Sequence, residues 1–299
     1  MRLVGIDLGG TAIKAGVVDE YGAILERRSV PTGLADGGDA VIERMAKLAR
    51  ELGADTSVGI GSPGLIDHAA GRVLECPNLK VLENVPLRDE LAAKLGFEAR
   101  RVFLENDANA AAVGEGWLGA GRTHSDLLLV TLGTGVGGGL ILAGELYAGA
   151  GGMAGEIGHV CIDPEGPWCG CGRRGCVEQY ASATAASRRA RELGLPADSP
   201  GDLVQLSAFA RSRPGPERDL CAAIGRDLGR GLAVVVTLLD MRTFVIGGGF
   251  GAALDVLLPG VRTGIAERTY GQRVASVQVL PAELGADAGW IGAARLASR

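Results

Sequence analysis

The sequence predicts an α/β protein of two domains that share a central cleft and are built on a duplicated core. A buried strand, a tight glycine turn and a returning strand occur at residues 3–18 and again at residues 127–142, about half a chain apart. Between and after these units, apolar residues recur with helical spacing. The 299 residues are enough for two domains of ordinary size.

The first half of the chain begins with three short strands joined by tight turns. Apolar runs bounded by Gly, Asp and Asn predict these strands, and helical spacing then predicts the helices. The elements predicted in this half are strands 3–8, 13–18 and 23–30, helix 39–52, strand 58–61, helix 87–95, strand 102–104 and helix 108–118.

The second half repeats the strand–turn–strand unit and then becomes mainly helical. The elements predicted here are strands 127–132 and 137–142, a short strand after 145, helices 183–193, 201–212 and 217–239, strand 243–246, helix 252–268, strand 274–279 and helix 286–297. No linker composition separates the two halves. We expect a small N-terminal α/β domain of residues 1–108 with 286–299, and a large α/β domain of residues 109–285.

Charge and hydropathy exclude several classes of partner. A net charge of −5 argues against a general nucleic-acid binder, which would present a basic face. No apolar run reaches the roughly 20 residues needed to span a bilayer. The first residues lead directly into a strand, so no signal peptide is visible. We therefore expect a cytoplasmic protein with neither nucleic acid nor membrane as a partner.

One segment, residues 156–178, concentrates metal-binding side chains. One histidine and three cysteines with turn-forming Pro and Gly between them suit a closed, tetrahedral zinc site; they are His159, Cys169, Cys171 and Cys176. A disulfide is disfavoured in a reducing compartment, and Cys169 and Cys171 are too close for an easy bridge. Unligated buried thiols remain the alternative.

Two acids bracket this zinc segment. Glu156 lies three residues before the histidine, and Glu178 lies two residues after the last cysteine. A closed zinc site is usually structural. A metal that only fixed the shape of a loop would not need these acids. The working hypothesis is that the metal holds a sugar-binding loop in shape.

Glycine turns predict a nucleotide site. A tight turn between strands presents backbone N–H groups on a concave surface, which suits phosphate. Threonine hydroxyls add donors, and Asp7 is placed to hold Mg²⁺ through water. The residues of this prediction are Asp7, Gly9, Gly10, Thr11, Gly133, Thr134, Gly135, Gly137, Gly247, Gly248 and Gly249. One such turn alone is more often a simple hairpin, but two in a repeat and a third glycine run favour nucleotide. A Walker A loop is not present.

Asn106 and Asp107 are the candidates for the reacting centre. They lie where a predicted strand meets the Ala-rich helix 108–118, and a carboxylate there can be aimed into a cleft. The alternative is that Asp107 only caps the helix, a common role for Asp.

Eight motifs along the chain together resemble the ROK family of sugar kinases and repressors, within the hexokinase/actin-like (ribonuclease H-like) superfamily. They are GIDLGGT (5–11), GSPGLID (61–67), PNL (77–79), LENDANAAA (104–112), TLGTGVGGG (131–139), GEIGH (155–159), CGCGRRGCVE (169–178) and VIGGGF (245–250). The resemblance covers essentially the whole chain. Within the family, it is greatest to bacterial ATP-dependent glucokinases.

The resemblance implies a glycolytic reaction in which ATP phosphorylates the 6-hydroxyl of glucose. It implies that Asp107 is the general base, a role typically worth about 10²–10⁴-fold. It implies that ring hydroxyls are bound by Asn106, Glu156, His159 and Glu178, with further contacts from Gly64 and Asn78. His159 would give one ring nitrogen to zinc and the other to the sugar. The ATP phosphates would lie at the two glycine turns, with adenosine near residues 247–249.

Four further points concern Lys14, the hexose, a repressor function and the oligomeric state. Many relatives carry Lys directly after GGT, where this chain has Ala12, with Lys14 about 7 Å further along the strand. A kinase for another hexose, such as N-acetylglucosamine, N-acetylmannosamine or fructose, shares every motif. A sugar-sensing repressor would need a preceding helix-turn-helix, for which the strand at Leu3 leaves no room. Relatives suggest a homodimer or homotetramer.

Overall fold

The computed structural model describes residues 2–76 and 79–298. The chain forms two compact units. Unit 1 comprises residues 1–125, 139–155 and 283–299, and unit 2 comprises residues 126–138 and 156–282. The boundaries expected from the sequence, 1–108 with 286–299 and 109–285, stay a prediction.

The strands are numbered in chain order. They are β1 (Arg2–Leu8), β2 (Ala12–Asp19), β3 (Ile24–Pro31), β4 (Val58–Ser62), β5 (Leu65–Asp67), β6 (Arg72–Glu75), β7 (Val102–Asn106), β8 (Leu127–Leu132), β9 (Val136–Leu142), β10 (Glu145–Leu146), β11 (Thr243–Gly247) and β12 (Gln278–Pro281). Most strands predicted from the sequence are confirmed to within a residue or two.

The helices are numbered in the same way. They are α1 (Gly38–Glu51), α2 (Leu87–Leu95), α3 (Asp107–Trp117), α4 (Glu178–Ala181), α5 (Ala183–Glu192), α6 (Pro200–Ser212), α7 (Pro216–Leu239), α8 (Leu254–Arg268), α9 (Gly271–Val274) and α10 (Ala288–Leu296). In the part of the chain covered by the structure, no helix is both long and apolar enough to cross a bilayer.

Unit 1 is organised on a five-stranded sheet of order β3-β2-β1-β4-β7. β1 pairs antiparallel with β2 and parallel with β4, and β4 pairs parallel with β7. Because both faces of β1 and β4 are covered, their residues form near-continuous apolar runs. One apolar face of α1 packs into this core through Val41, Met45 and Leu48, as its helical spacing predicts. The shared edge at the carboxyl ends of β1, β4 and β7 places their last residues side by side.

The second five-stranded sheet has the order β10-β9-β8-β11-β12. β11 pairs parallel with β8 and with β12, and β10 pairs antiparallel with β9. This order matches that of the first sheet strand for strand: an antiparallel hairpin edge followed by parallel strands. The predicted α/β fold with a duplicated core is therefore confirmed, as is its membership of the hexokinase-like class.

The structure differs from the sequence prediction at a late strand and at a short hairpin. The strand predicted at 274–279 lies later, at β12, because the chain turns first through the short helix α9 and pairs with β11 only from Gln278. The β5–β6 hairpin was not predicted. Its strands have three and four residues, too few for a period of two to be recognised.

Candidate active site

The β7–α3 junction separates the roles of Asn106 and Asp107. Asn106 is the N-cap of α3: its side-chain oxygen accepts hydrogen bonds from the backbone N–H groups of Ala108 at 2.9 Å and Asn109 at 3.2 Å. Asp107 is the first residue of the helix and also accepts from the Ala108 N–H, at 2.8 Å. The N-cap position is therefore held by Asn106 and not by Asp107, and the role of Asp107 as the reacting group stays a prediction.

Burial raises the pKa of the Asp107 carboxyl above its ordinary value of 3.8. A hydrogen bond from the Ala108 N–H offsets part of this effect. A carboxylate with a raised pKa is a better proton acceptor near neutral pH than an ordinary aspartate. The junction thus carries a group suited to general-base chemistry.

A second carboxylate, Asp7, lies at the carboxyl end of β1. Its pKa is raised to about 6, because burial and, to a smaller extent, the Asp107 carboxylate outweigh the opposing effect of the Lys14 ammonium. Lys14 is the register partner of Asp7 on β2, and its Nζ lies 3.9 Å from the Asp7 carboxylate. A Cβ on Gly289, in the first turn of α10, would lie 2.9 Å from the Asp7 carboxyl carbon. Glycine there leaves room beside the carboxylate.

The Asp7 environment fits Mg²⁺. Carboxylate oxygens are the donors that this ion prefers, and glycine at position 289 leaves space beside those of Asp7. The Asp7 environment also bears on whether Lys14 contacts phosphate. In this structure the Lys14 ammonium is directed to Asp7.

Gly64, which follows β4, is fixed by its backbone conformation and by Asn106. Its φ of +97° favours glycine, and a Cβ would lie 2.9 Å from the Cβ of Cys76. The Asn106 side-chain amide donates to the Gly64 carbonyl at 3.2 Å. Two of the predicted sugar contacts therefore touch each other. Asn78 lies outside the described residues.

In unit 2, the four predicted zinc ligands form one cluster. Their ligand atoms all lie within 4.8 Å of one another. Cys169 Sγ is 3.7 Å from His159 Nδ1, and Cys171 Sγ is 3.6 Å from Cys176 Sγ. Zn–S bonds of about 2.3 Å at tetrahedral angles place neighbouring sulfurs about 3.8 Å apart. The ligand set and its spacing therefore fit zinc, and every described cysteine is free of disulfides.

The loop geometry explains this convergence. Cys169 donates its N–H to the Arg173 carbonyl at 2.7 Å, and Gly172 donates to the Cys169 carbonyl at 3.0 Å. Gly172 and Gly175 have φ angles of +80° and +69°, a backbone that favours glycine. These turns bring Cys169, Cys171 and Cys176 to one side of the loop.

The two acids flank the cluster as expected. His159 directs Nδ1 toward Cys169, and its other nitrogen, Nε2, lies 3.9 Å from the Glu156 carboxylate. Glu178 begins α4 and accepts a hydrogen bond from the Val136 N–H at 3.1 Å. A Cβ on Gly135 would overlap the Glu178 carboxylate. The second glycine turn and the end of the zinc segment are thus in direct contact, which the sequence did not indicate.

The glycine turn between β8 and β9 borders a cavity of about 420 Å³ within unit 2. The Gly133 and Thr134 carbonyls accept hydrogen bonds from the Ala183 N–H at 2.8 Å and the Thr184 hydroxyl at 2.7 Å, so the start of α5 fixes the turn. The cavity wall is mainly apolar and includes Gly133, Thr134, Leu203, Gly249, Phe250 and Ala253. The structure brings the second and third predicted glycine segments to one cavity.

The first glycine turn, between β1 and β2, is fixed in a similar way. Gly9 donates its N–H to the Ala12 carbonyl at 3.1 Å, and the Thr32 hydroxyl donates to the Gly9 carbonyl at 2.6 Å. The Thr11 carbonyl accepts from the Thr32 N–H at 3.0 Å. Thr32 is therefore a turn-stabilising residue that no motif identified.

Comparison with known proteins identifies the family. The model of the ROK family matches residues 3–299, and the chain belongs to this family. A glucokinase of Thermotoga maritima is 39% identical over 313 aligned residues, which cover 99% of this chain and 97% of that protein. An N-acetylmannosamine kinase of Escherichia fergusonii is 35% identical, with 99% and 98% covered.

The solved structures agree with this assignment. The structure of a ROK family glucokinase from Streptomyces griseus in complex with glucose and AMPPNP is 37% identical to this chain. The match covers 100% of this chain and 99% of that one, with a TM-score of 0.82. The predicted family is confirmed over the whole length.

Proposed function

We propose that this protein is a glucokinase that transfers the γ-phosphoryl group of ATP to the 6-hydroxyl of glucose. The observation that carries the proposal is the Asp107 carboxyl, whose pKa is raised by burial while Asn106 caps the helix. Similarity to glucokinases along the full length supports the same reaction. Phosphoryl transfer depends mainly on positioning and charge neutralisation, so a few placed groups suffice.

In this reaction Asp107 accepts the proton of the 6-hydroxyl as the oxygen attacks the γ-phosphorus. The Asn106 side chain, which contacts Gly64, binds the sugar next to the base. We assign Glu156, Glu178 and the Nε2 nitrogen of His159 to ring hydroxyls, and Asn78 stays a predicted contact. The hydrogen bond from the Val136 N–H to Glu178 connects this sugar-binding set to the glycine turn between β8 and β9.

We propose that zinc binds at the four-residue cluster and has a structural role. His159 would bind it through Nδ1, which fixes the tautomer and aims Nε2 away from the metal. With these four residues as ligands, a bound zinc ion would have no open position for a substrate oxygen. Its effect on the reaction is therefore to hold Glu156, His159 and Glu178 in place.

We propose that the nucleotide binds through backbone groups of the two glycine turns, with its adenosine in the 420 Å³ cavity beside Gly249. The apolar wall suits the faces of a base. Asp7 would hold Mg²⁺ through water, and the ion, when bound, neutralises phosphate oxygens. A homodimer or homotetramer and a cytoplasmic location stay predictions.

A kinase for N-acetylmannosamine is the second candidate. A relative of that name is 35% identical, close to the 39% of a relative named glucokinase. Identity alone therefore favours glucose only slightly. The two candidates share the same mechanism and differ in the group at carbon 2 of the sugar.

Asp107→Asn tests the proposed role directly. The amide keeps the shape but cannot accept the proton, so we expect kcat with glucose to fall by about 10²–10⁴-fold. Glucose binding, measured by calorimetry, should change little. Asp55→Asn, at an exposed position of the same unit and outside the junction, is the matched control and should keep its turnover. Turnover of Asp107→Asn within about threefold of the wild type would refute the base assignment.

A further inference from the structure

A buried carboxylate lies directly behind the β7–α3 junction. Glu105 is 8% exposed and accepts hydrogen bonds from the Asn106 N–H at 2.9 Å and from the Asn109 side-chain amide at 3.0 Å. Its other oxygen lies 3.0 Å from His68 Nε2. One carboxylate therefore holds the end of β7, the first turn of α3 and an imidazole from elsewhere in the chain.

His68 lies in the turn of the β5–β6 hairpin, four residues after Gly64. The Arg88 guanidinium donates to the His68 carbonyl at 3.1 Å. On the other side, a Cβ on Gly152 would lie 3.0 Å from the imidazole ring, and the φ of +75° at Gly152 also favours glycine. The His68 side chain is 37% exposed, and its ring contacts Glu105 at one edge and lies beside Gly152 at another.

Two contacts join this hairpin to the junction. One is the Asn106 amide to the Gly64 carbonyl at 3.2 Å, and the other is His68 to Glu105 at 3.0 Å. Loss of the second contact would leave a buried carboxylate without its charged partner, which is costly. It would also remove one of the two contacts that position the hairpin and Gly64 against the junction.

We infer that His68 and Glu105 form a proton-linked positioning pair that sets the placement of Gly64, Asn106 and Asp107 for the sugar. The inference rests on the proposed function, since its effect is measured as the kcat/KM for glucose. Neither residue reaches the reacting atoms in this assignment; both act through the β7–α3 junction and the hairpin.

The charges around the pair support this role. The hydrogen bond to Glu105 raises the pKa of His68 above its ordinary 6.5, burial opposes this, and the Glu105 and Asp67 charges add to it. Burial alone would raise the pKa of Glu105, but hydrogen bonds from His68, Asn109 and Asn106 outweigh it and lower that pKa. Two cations lie near this turn: Arg88 donates to the His68 carbonyl, and Arg72 is the register partner of Asp67 in the hairpin.

The sign of the pH dependence follows. Because the folded pKa of His68 is raised, the charged pair is complete below 6.5 and is lost as pH rises through the higher folded value. Asp107 acts in the opposite direction, since it must be ionised to serve as the base. We therefore expect kcat/KM for glucose to decline on the alkaline side because of His68 and on the acid side because of Asp107.

His68→Gln tests the inference. The kcat/KM for glucose is measured across the neutral and alkaline range, together with KM for ATP. We expect the alkaline decline to disappear and kcat/KM for glucose at neutral pH to fall by about 5–30-fold, the effect of one or two kcal/mol. KM for ATP should not change. His124→Gln, which removes another imidazole of the same unit, is the matched control and should keep the alkaline decline.

A second variant keeps the test valid if His68→Gln folds poorly. Glu105→Gln retains the shape of the side chain and removes its charge, and we expect the same loss of the alkaline decline. An alkaline decline that persists in both variants, or an equal rise in the KM for ATP, would overturn the inference while leaving the glucokinase assignment intact. Absence of glucose turnover by the wild type at every pH would overturn both.

Discussion

At the scale of the residue, the site depends on pairs of neighbours with different tasks. Asn106 caps α3, which leaves Asp107 available for chemistry. His159 directs one nitrogen to Cys169 and leaves the other beside Glu156. In the first case the structural contact is made by a neighbouring residue. In the second it is made by the other nitrogen of the same ring. The residue types could be read from the sequence, but which atom has which partner could not.

A zinc ligand provides the residue-scale prediction. With a complete ligand set, structural zinc contributes an apparent free energy of about 10–16 kcal/mol in small zinc domains. Cys171→Ser removes one of the four ligands, so we expect the metal to be lost. KM for glucose should rise by about tenfold, equivalent to 1.4 kcal/mol, because Glu156, His159 and Glu178 lose their support. KM for ATP should stay constant. Metal content by mass spectrometry and steady-state kinetics provide the measurements.

Cys161→Ser is the matched control for this prediction. Cys161 is exposed and lies outside the cluster, although it is in the same segment. It should retain zinc and an unchanged KM for glucose. A Cys171→Ser protein that is free of zinc and still has the wild-type KM would contradict the structural role of the metal.

At the scale of the element, the repeat extends from the strands to the helices. In unit 1, Gly114 of α3 faces the Ala288 carbonyl of α10 so closely that no Cβ fits. In unit 2, Gly229 of α7 meets the Val261 carbonyl of α8 in the same way. Each sheet therefore has a pair of helices whose backbones approach through glycine. The glycine excess of the sequence serves this packing as well as the predicted turns.

Gly229→Ala tests the helix packing. The added methyl group has to push α7 and α8 apart, so we expect the free energy of unfolding to fall by about 1–3 kcal/mol. Gly271→Ala is the matched control, because nothing lies within 4 Å of its Cβ position and its φ is not positive. Urea denaturation of both variants measures the difference. Equal midpoints for the two variants would show that the helices can separate at no cost.

The elements also show what sequence patterns can and cannot predict. Long apolar runs such as those of β1 and β8 were predicted well, because burial on both faces leaves a continuous signal. The β5–β6 hairpin was missed because its strands are short. His68 was missed for a different reason: its contact with Glu105 joins residues 37 positions apart, and no local pattern encodes that pairing.

At the scale of the whole molecule, the chain passes repeatedly between its two compact units. Unit 1 carries Asp7, Asn106 and Asp107, and unit 2 carries the metal cluster and the cavity beside Gly249. The return of the chain to unit 1 is fixed by Glu115, a fully buried carboxylate that accepts hydrogen bonds from the Glu283 and Leu284 N–H groups. Charge-assisted bonds of this kind hold a discontinuous unit together.

The net charge of −5 bears on nucleotide binding. A negatively charged molecule gains no long-range attraction for an anionic nucleotide, so affinity has to come from local donors. The backbone N–H groups of the glycine turns are such donors. Lys14, paired with Asp7 at 3.9 Å, places one positive charge at the end of the first turn.

The most direct test of the central claim is sugar-dependent release of ADP by the intact protein with ATP and Mg²⁺. Glucose, 6-deoxyglucose and N-acetylmannosamine are compared with a reaction without sugar. We predict turnover with glucose, at least about tenfold lower kcat/KM with N-acetylmannosamine, equivalent to 1.4 kcal/mol, and inhibition without turnover by 6-deoxyglucose, which lacks the accepting hydroxyl. No ADP above background with glucose, or turnover of 6-deoxyglucose at the rate of glucose, would contradict the account.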